Sequence, residues 1–172
     1  MSELSIRRYQ PPDRERVLEL HVEPMEDVGA FVDDGPTDLD ADMRDIPAAY
    51  GSAGGTFLVG ELDGEIVGMG GFRPPSDYVS HFLGPLTDGT AEVQRMRVDG
   101  AYQGRGFGDQ LLTEIERRAR DHGFTELVLD TTPKQTAAMG LYEKHGFEIA
   151  CREDVTLDGE TVTMIFYRTS LE

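Results

Sequence analysis

Cysteine is nearly absent from the chain, since Cys151 is the single one among 172 residues. One cysteine cannot form an internal disulfide, and without a second cysteine nearby a thiolate metal site is excluded as well. The four histidines show no metal-ligand spacing with other residues, so we expect no metal. Cys151 itself is expected to be a small buried hydrophobic residue.

Long apolar runs are also missing. Neither the N-terminal segment MSELSIRRYQPPDRERV nor any later stretch approaches the ~20 apolar residues that cross a bilayer. The sequence therefore predicts a soluble, cytoplasmic protein. A length of 172 residues with 38% hydrophobic residues fits one domain, residues 1–172, with a substantial core.

Positive charge is scarce. Lys134 and Lys144 are the only lysines, and 33 acidic residues against 16 basic ones give a formal net charge of −17. This balance argues against a nucleic acid or an anionic membrane as partner, because phosphate backbones are bound by clustered positive charge. The pattern resembles the acidic proteins of salt-loving organisms. We expect the fold to lose stability in dilute buffer, where self-repulsion is unscreened.

A strand, a glycine-rich turn and a helix are predicted between Thr90 and Gly123. Thr90–Val98 is rich in apolar and β-branched residues, and the apolar residues after Phe107 recur at helical spacing. Between them lies the segment Gln103-Gly104-Arg105-Gly106-Phe107-Gly108. Its glycines let the backbone approach a ligand and direct free amides at it. Free amides at a helix N-terminus favour an anion, phosphate above all.

Two common phosphate-binding motifs are excluded at this turn. A dinucleotide fingerprint that begins at Gly104 needs glycine at position 109, where Asp109 stands, and the Gly-Lys-Ser/Thr of a P-loop occurs nowhere. A turn that binds no ligand is the remaining structural alternative. It would leave each glycine as an uncompensated cost of up to ~1 kcal/mol.

The segments before the turn predict short elements and two loops. We expect a first strand that ends at Pro11, a helix over 14–23 capped by Asp13, an acidic surface loop over 25–39 and a helix over 39–50. Thr56–Leu62 and Glu65–Phe72 predict a hairpin around Asp63-Gly64. The connection 73–89 is expected to be irregular, and it is either a wall of the substrate site or a plain surface loop.

After the turn, the sequence predicts a parallel crossover. Glu126–Asp130 is a short apolar strand, and the order strand, helix, strand places it beside Thr90–Val98. Ligands of such sheets bind at the carboxyl ends of the strands. A helix over 132–145 and a final hairpin around Asp158-Gly159 complete a mixed α/β architecture with helices flanking a twisted sheet.

Two blocks of residues resemble one family. The first is Gln103-x-x-Gly106-x-Gly108 directly after an apolar strand, and the second runs from Gln135 to Phe147. In the second block the matching residues are Ala138, Leu141, Tyr142, Glu143, Lys144, Gly146 and Phe147. Both are similar to the acyl-CoA motifs of the GCN5-related N-acetyltransferase (GNAT) superfamily. The resemblance covers Leu4 to Phe166 and implies a mostly antiparallel sheet with a central parallel βαβ unit.

The resemblance implies a cofactor site on backbone groups. The pyrophosphate of acetyl-CoA would lie on the turn and the pantetheine arm beside the end of the preceding strand. The implied cofactor-binding residues are Met96, Arg97, Val98, Gln103, Gly104, Arg105, Gly106, Phe107, Gly108, Asp109 and Gln135. Gln135 stands where the family usually has Asn, which puts its contact in doubt. Arg105 is either a cation for the phosphates or a solvated surface residue.

Tyr142 and Glu92 are the implied catalytic residues. A phenol with a pKa near 10 protonates a thiolate with a pKa near 8.5 at a cost of ~2 kcal/mol, so Tyr142 is the candidate acid. Its alternative role is a core aromatic residue. Glu92 is the candidate base and shares a face with Gln94, Met96 and Val98 unless a bulge intervenes. An ion pair with Arg95 or Arg97 is its alternative role, and His81 is the alternative base.

The implied reaction is direct transfer of an acetyl group from acetyl-CoA to a primary amine. A small molecule is the first expected acceptor, with a protein N-terminus or lysine as the alternative. A non-catalytic acyl-CoA-binding module and a nucleotide-phosphate binder unrelated to CoA remain open. A homodimer is expected at the level of the family only.

Overall fold

The computed structural model describes residues 4–27, 41–52, 54–133, 135–157 and 159–171. The strands are β1 (Ser5–Arg8), β2 (Thr56–Leu62), β3 (Glu65–Arg73), β4 (Thr90–Val98), β5 (Glu126–Thr131), β6 (Glu148–Leu157) and β7 (Glu160–Ser170). The helices are α1 (Arg14–Asp27), α2 (Ala41–Arg44), α3 (Asp77–Leu83), α4 (Phe107–Asp121) and α5 (Thr136–Lys144). Within these ranges no helix combines the length and apolar composition that spanning a bilayer requires.

The strands form one seven-stranded sheet in the order β1-β2-β3-β4-β5-β7-β6. Every neighbouring pair is antiparallel except β4 and β5, which are parallel and connected through α4. The predicted mixed sheet with a central parallel βαβ unit is therefore confirmed. The hairpins β2–β3 and β6–β7 are confirmed too, although Asp158 lies outside the described residues.

Helices cover both faces of the sheet. On one side, called here the α4 face, Leu112, Ile115 and Ala119 of α4 pack with Val93 of β4 and Leu129 of β5. The opposite side, called the α1 face, has two clusters. Its members are Val17 and Leu20 of α1 with Tyr50, Phe57 and Met69, and Val79 of α3 with Val128 and Phe166. The sheet is thus buried on both sides around β3, β4 and β5.

The glycines of β3 make room for side chains. A methyl group at Gly70 would lie 2.5 Å from Sδ of Met96 and 3.0 Å from Cδ1 of Ile115. A methyl group at Gly71 would lie 2.9 Å from Cε1 of Tyr50 on the other face. The register between β3 and β4 also shifts between Met69 and Gly71. The glycines let α4 and Tyr50 approach the strand closely.

Three expectations about where helices begin, end or are absent were wrong. The connection 73–89 contains α3, which begins where the Ser76 hydroxyl accepts a hydrogen bond from the Val79 amide at 3.4 Å. Helix α5 begins at Thr136 rather than at Thr132, because Gln135 has non-helical backbone angles. Helix α1 continues through Pro24 to Asp27, so the first part of the expected loop 25–39 is helical and the part from 28 onwards lies outside the described residues.

The first turns also differ from expectation. Asp13 ends a 3-10 turn, Pro11–Asp13, and its carboxylate accepts a hydrogen bond from the Gln10 amide at 2.8 Å. It therefore stabilises the turn before α1 instead of capping the helix itself. The helix expected over 39–50 is divided into α2 and a π-helical turn, Pro47–Gly51, while residues 39 and 40 are outside the described ranges.

Two glycine substitutions test this packing. A methyl group at Gly55 would lie 1.9 Å from the Phe72 carbonyl oxygen, so Gly55→Ala should lower the unfolding free energy by on the order of 3 kcal/mol. Gly140 lies exposed in α5 with no atom within 4 Å of an added methyl group, so Gly140→Ala should raise it by about 1 kcal/mol. Denaturant unfolding measures both, and equal effects would contradict the packing described.

Candidate functional site

The two parallel strands separate at their carboxyl halves. They pair only from Thr90 opposite Glu126 to Glu92 opposite Val128. Beyond these residues β4 stays paired with β3 to Val98, and β5 stays paired with β7 to Thr131. A gap therefore opens in the middle of the sheet, at the carboxyl ends where ligands of parallel strands bind.

A bulge at Arg95 determines which side chains border the gap. Arg95 has a positive φ of 61°, and the register between β3 and β4 shifts at this point. Before the bulge, Glu92 and Gln94 point to the α1 face, where they contact Ser76 and Tyr50. After the bulge, Met96 and Val98 pack against α4. The alternative of a bulge is therefore the one that the structure shows: Glu92 shares its face with Gln94 but not with Met96 or Val98, because the bulge reverses the alternation.

The glycine-rich turn lies directly after β4. Gly104 and Gly106 have φ values of 80° and 83°, a left-handed conformation that favours glycine. Helix α4 starts at Phe107, so the first amides of the helix have no intrahelical acceptor. Among the described residues, no hydrogen bond engages the amides from Gln103 to Asp109. The turn therefore presents a set of free donors, as an anion site requires.

Side chains around the turn hold it in place. The Asp109 carboxylate lies 2.5 Å from His145 Nε2 and 3.2 Å from Lys144 Nζ, and these contacts, that with His145 first, hold the pKa of Asp109 below its usual range. Arg105 stacks over the Tyr102 ring at 5.2 Å. Asp109 thus connects α4 to α5, and its amide rather than its carboxylate is available to an anion.

Gln135 connects the end of β5 to α5. Its side-chain Oε1 accepts hydrogen bonds from the Thr131 hydroxyl at 2.6 Å and from the Thr132 amide at 3.5 Å. The amide oxygen is thus engaged within the protein. Gln135 thus holds the β5–α5 turn, and its contact with a cofactor stays a prediction.

Tyr142 points from α5 toward the gap. Its ring packs against Phe147 and Tyr167 with centroids 5.8 and 6.0 Å apart, and within the described part of the chain its hydroxyl makes no hydrogen bond. Burial raises the pKa of Tyr142 to about 12; the Arg97 cation lowers this pKa, and the Asp130 charge raises it. The structure thus shows the core contact of Tyr142, and its role as the acid stays a prediction.

Glu92 is 3% exposed and fully hydrogen-bonded. Oε1 accepts from the Ser76 amide at 2.9 Å and from the Ser76 hydroxyl at 3.0 Å, while Oε2 accepts from Gln94 Nε2 at 2.6 Å. In the described residues it forms no ion pair with Arg95 or Arg97. Glu92 therefore fixes the start of α3 to β4, a role that the sequence did not reveal.

Asp130 is a candidate site residue that the sequence reasoning missed. It is half-buried at the end of β5, and burial followed by the charge of Glu92 raises the pKa of Asp130 to about 7. Tyr78 of α3 is close to both carboxyl groups, since burial first and then the charges of Asp130 and Glu92 raise its pKa. An acidic residue that ends the apolar run Leu127–Leu129 was the available signal.

A second missed group is a buried ion pair on the α1 face. Asp42 accepts hydrogen bonds from Arg95 at 2.6 and 3.0 Å and from the Tyr50 hydroxyl at 2.6 Å. Burial raises the pKa of Asp42, but the Arg95 contacts outweigh it and lower the pKa below its usual value. The Tyr50 hydroxyl oxygen also lies 3.2 Å from Gln94 Oε1. These contacts hold the bulge of β4 to α2.

The other sequence candidates lie away from the gap. His81 is exposed on α3, where it stacks against Phe82 at 4.9 Å. Cys151 of β6 is half-buried, with Sγ 4.0 Å from the Phe82 carbonyl oxygen. In the part of the chain that the structure covers, no group of three acidic, histidine or cysteine side chains is arranged to hold a metal ion.

Acetyltransferases are among the solved structures that share this fold. The protein yncA from Salmonella typhimurium, solved with its cofactor acetyl-CoA, superposes with a TM-score of 0.78 at 23% sequence identity, covering 99% of this chain and 95% of that one. The chain thus has the same fold as that protein. Residues 14–147 match the sequence model of the acetyltransferase (GNAT) family, so the chain belongs to the GNAT acetyltransferase family.

Curated relatives support the same assignment. Human N-acetyltransferase 8B is 35% identical over 111 residues, which are 64% of this chain and 46% of that protein. The N-acetylaspartate synthetase of Danio rerio is 34% identical over 125 residues, which are 72% of this chain and 41% of that protein. The chain thus spans less than half the length of these two relatives.

The raised pKa of Asp130 predicts a pH-dependent stability. The folded protein holds this proton up to about pH 7, whereas the unfolded chain releases it near the ordinary value of 3.8. The stability that the proton contributes is therefore complete below the unfolded value and is lost as pH rises through 7. Asp130→Asn keeps the neutral form, so its unfolding free energy should exceed that of the parent by an amount that grows from pH 4 to pH 7.

Asp88→Asn, at an exposed position, is the matched control for removal of one negative charge. Urea unfolding from pH 4 to pH 7 measures the unfolding free energy of each variant and of the parent. The contributions of the other carboxylates cancel in the difference between variant and parent. A difference for Asp130→Asn that does not vary with pH would contradict the raised pKa.

Proposed function

We propose that the chain is an N-acetyltransferase that transfers the acetyl group of acetyl-CoA directly to a primary amine on a small molecule. The observation that carries the proposal is the gap between β4 and β5, which leads straight to a turn of unpaired amides. Family membership supports it, because it ties this geometry to acetyl transfer.

The residues around the gap fit acetyl-CoA. The amides from Gln103 to Asp109 would bind the pyrophosphate, and Arg105 beside them would add a cation. The pantetheine arm would lie in the gap along the backbone of 96–98, where β4 has no partner strand on the β5 side. A structural relative, yncA, was solved with acetyl-CoA, which supports this binding mode.

The chemistry needs a neutral amine, a base and a proton for the leaving thiolate. The amine nitrogen attacks the thioester carbonyl carbon, the carbon–sulfur bond breaks, and the amine proton passes to a base. Backbone amides of Met96 to Val98 would polarise the carbonyl oxygen. The sequence points to Glu92 as base, but both of its oxygens already accept hydrogen bonds. Of the two carboxyl groups, Glu92 and Asp130, called here the carboxyl pair, Asp130 is better suited to act as the base because its pKa is about 7.

Tyr142 is proposed as the acid that protonates the thiolate. With a pKa of about 12, donation to a thiolate of pKa near 8.5 is uphill by roughly 3.5 units, or about 5 kcal/mol. This cost exceeds the ~2 kcal/mol of an ordinary phenol. The nearby Arg97 cation lowers the pKa of Tyr142, so Arg97 reduces the cost of this step.

The acceptor side of the gap is the α1 face, where α3 lies over the carboxyl pair. Tyr78 of α3 is close to Asp130 and Glu92 and half-buried, which limits the space for an acceptor. This supports the earlier expectation that the segment 73–89 is a wall of the substrate site. One relative is named for a small product, N-acetylaspartate, which also supports a small acceptor over a protein. A homodimer stays a proposal.

Tyr142→Phe tests the acid. The variant keeps the ring contacts, so we expect acetyl-CoA affinity to be unchanged while kcat falls by about 100-fold or more. Release of free CoA thiol in the presence of amines measures kcat, and calorimetry measures binding. Tyr167→Phe, which removes the hydroxyl of a neighbouring core tyrosine, should leave kcat unchanged. An equal loss of binding and turnover in Tyr142→Phe would mean that the residue is structural only.

Gly106→Val tests the turn. A β-branched residue at a φ of 83° distorts the amide cluster, so acetyl-CoA binding should be abolished. Gly123→Val places the same strain at the end of α4, where φ is 92°, and should retain binding.

Thermal unfolding in molar KCl with and without acetyl-CoA, ATP or NAD provides the measurement. Ligand at ~100 times its Kd stabilises the fold by ~2.7 kcal/mol. Protection by ATP or NAD but not by acetyl-CoA would favour a nucleotide binder. Protection by acetyl-CoA without acetylation of any amine would favour a non-catalytic module.

A further inference from the structure

Arg97 is a half-buried cation that forms no ion pair with a carboxylate in the part of the chain that the structure describes. Its Nη1 donates to the Met96 carbonyl oxygen at 2.8 Å, and its Nε is sealed from solvent without a hydrogen-bond partner. Its neighbour Arg95, in contrast, makes two hydrogen bonds to Asp42. A guanidinium Nε that is buried without a hydrogen-bond partner is costly, so its presence calls for a function.

The backbone places Arg97 on the acceptor side of the gap. Arg97 lies opposite Met69, a core residue of the α1 face, whereas Val98 next to it packs with α4 residues such as Leu111. The side chain therefore points away from α4 and from the turn proposed for the pyrophosphate. Arg105, beside the turn, is the cation placed for the phosphates.

The charged groups around Arg97 are those of the proposed reaction. Burial, followed by the charge of Arg95, lowers the pKa of Arg97, while Tyr142, Asp130 and Tyr50 act in the opposite direction. Asp130 is near enough to feel this cation but is not hydrogen-bonded to it. Asp130 and the Arg97 guanidinium are thus close enough for the charge of each to act on the other. They match an acceptor that carries an amine and an anionic group.

We propose that the acceptor is a small amino acid whose carboxylate binds to the guanidinium of Arg97 while its amine faces Asp130. A guanidinium offers planar, paired donors to a carboxylate, and such charge-assisted bonds are about twice as strong as neutral ones. The carboxylate of the acceptor would then neutralise the Arg97 charge, for which the described residues provide no ion-pair partner. This inference rests on the proposed acetyl transfer and narrows its acceptor from amines in general to amino acids.

Another arginine on the same face is less suited to this role. Arg73 also has a buried Nε without a partner, but its guanidinium stacks over the Tyr50 ring at 5.2 Å and donates to the Ala49 carbonyl oxygen at 3.5 Å. The Arg73 guanidinium is therefore already engaged by Tyr50 and Ala49. The cations that lower the pKa of Asp130 most are Arg95 and Arg97.

The experiment compares amino acids with their carboxamides as acetyl acceptors. The selectivity is the ratio of kcat/KM for the acid to kcat/KM for the amide, measured by release of CoA thiol. We expect the parent to prefer acids and Arg97→Gln to lose the preference by roughly 100-fold. Any effect of Arg97 on Tyr142 cancels in this ratio, because it acts on both acceptors alike. Arg117→Gln, which removes an exposed cation of α4, is the matched control and should keep the preference.

A parent protein that acetylates acids and amides equally, or an Arg97→Gln variant that keeps the preference, would overturn the inference. If Arg97→Gln does not fold, Arg97→Lys takes its place and should retain only part of the preference, because an ammonium lacks the paired donors. A full preference in Arg97→Lys would show that the paired donors are not used.

A binding measurement makes the inference independent of turnover. In the presence of CoA, N-acetylated amino acids should protect the parent against thermal unfolding, and their carboxamides should not. Absence of this difference, together with absence of acid-selective turnover, overturns the carboxylate site. Protection by acetyl-CoA alone, followed in the same experiment, reports separately on the proposed acetyl transfer.

Discussion

The separation of β4 and β5 is the constraint on which the site depends. Pairing stops after Glu92 and Val128 because the two strands are held by different partners: β3 keeps β4, and β7 keeps β5. The bulge at Arg95, whose side chain is held by Asp42, lies beyond the last residue of β4 that pairs with β5. Backbone groups that a regular sheet would pair are thereby left for a ligand, and the glycine-rich turn continues the same surface.

Charge is distributed unevenly between the surface and the site. A chain with a net charge of −17 nevertheless places Arg95, Arg97 and Arg73 on one face of the sheet. Only Arg95 is neutralised there by a carboxylate, that of Asp42, within the described residues. The same region holds Asp130 with its pKa near neutrality. These groups set one another's protonation, since Arg97 lowers the pKa of Tyr142 and Glu92 raises that of Asp130.

The sequence predicted those elements whose signals come from residues that are close together in the chain. The hairpin at Asp63-Gly64, the apolar spacing of α4 and the glycine-rich turn each depend on residues close in sequence, and each is present in the structure. Helix α3 was missed because Pro74 and Pro75 stand directly before it and its seven residues are too few to show a period. Helix α5 starts late because the Gln135 side chain bonds back to Thr131.

The sequence by itself determined the turn, the crossover and the family, because short-range spacing encodes backbone conformation and two motif blocks encode the cofactor loop. Only the tertiary structure decided which side chains meet at the gap. The Arg95 bulge reversed the alternation of β4. Ser76 and Gln94 donate hydrogen bonds to the Glu92 carboxylate, and the end of β5 brings Asp130 close to Glu92. These contacts join residues distant in sequence. No local pattern specifies such contacts, because they follow from strand register and burial.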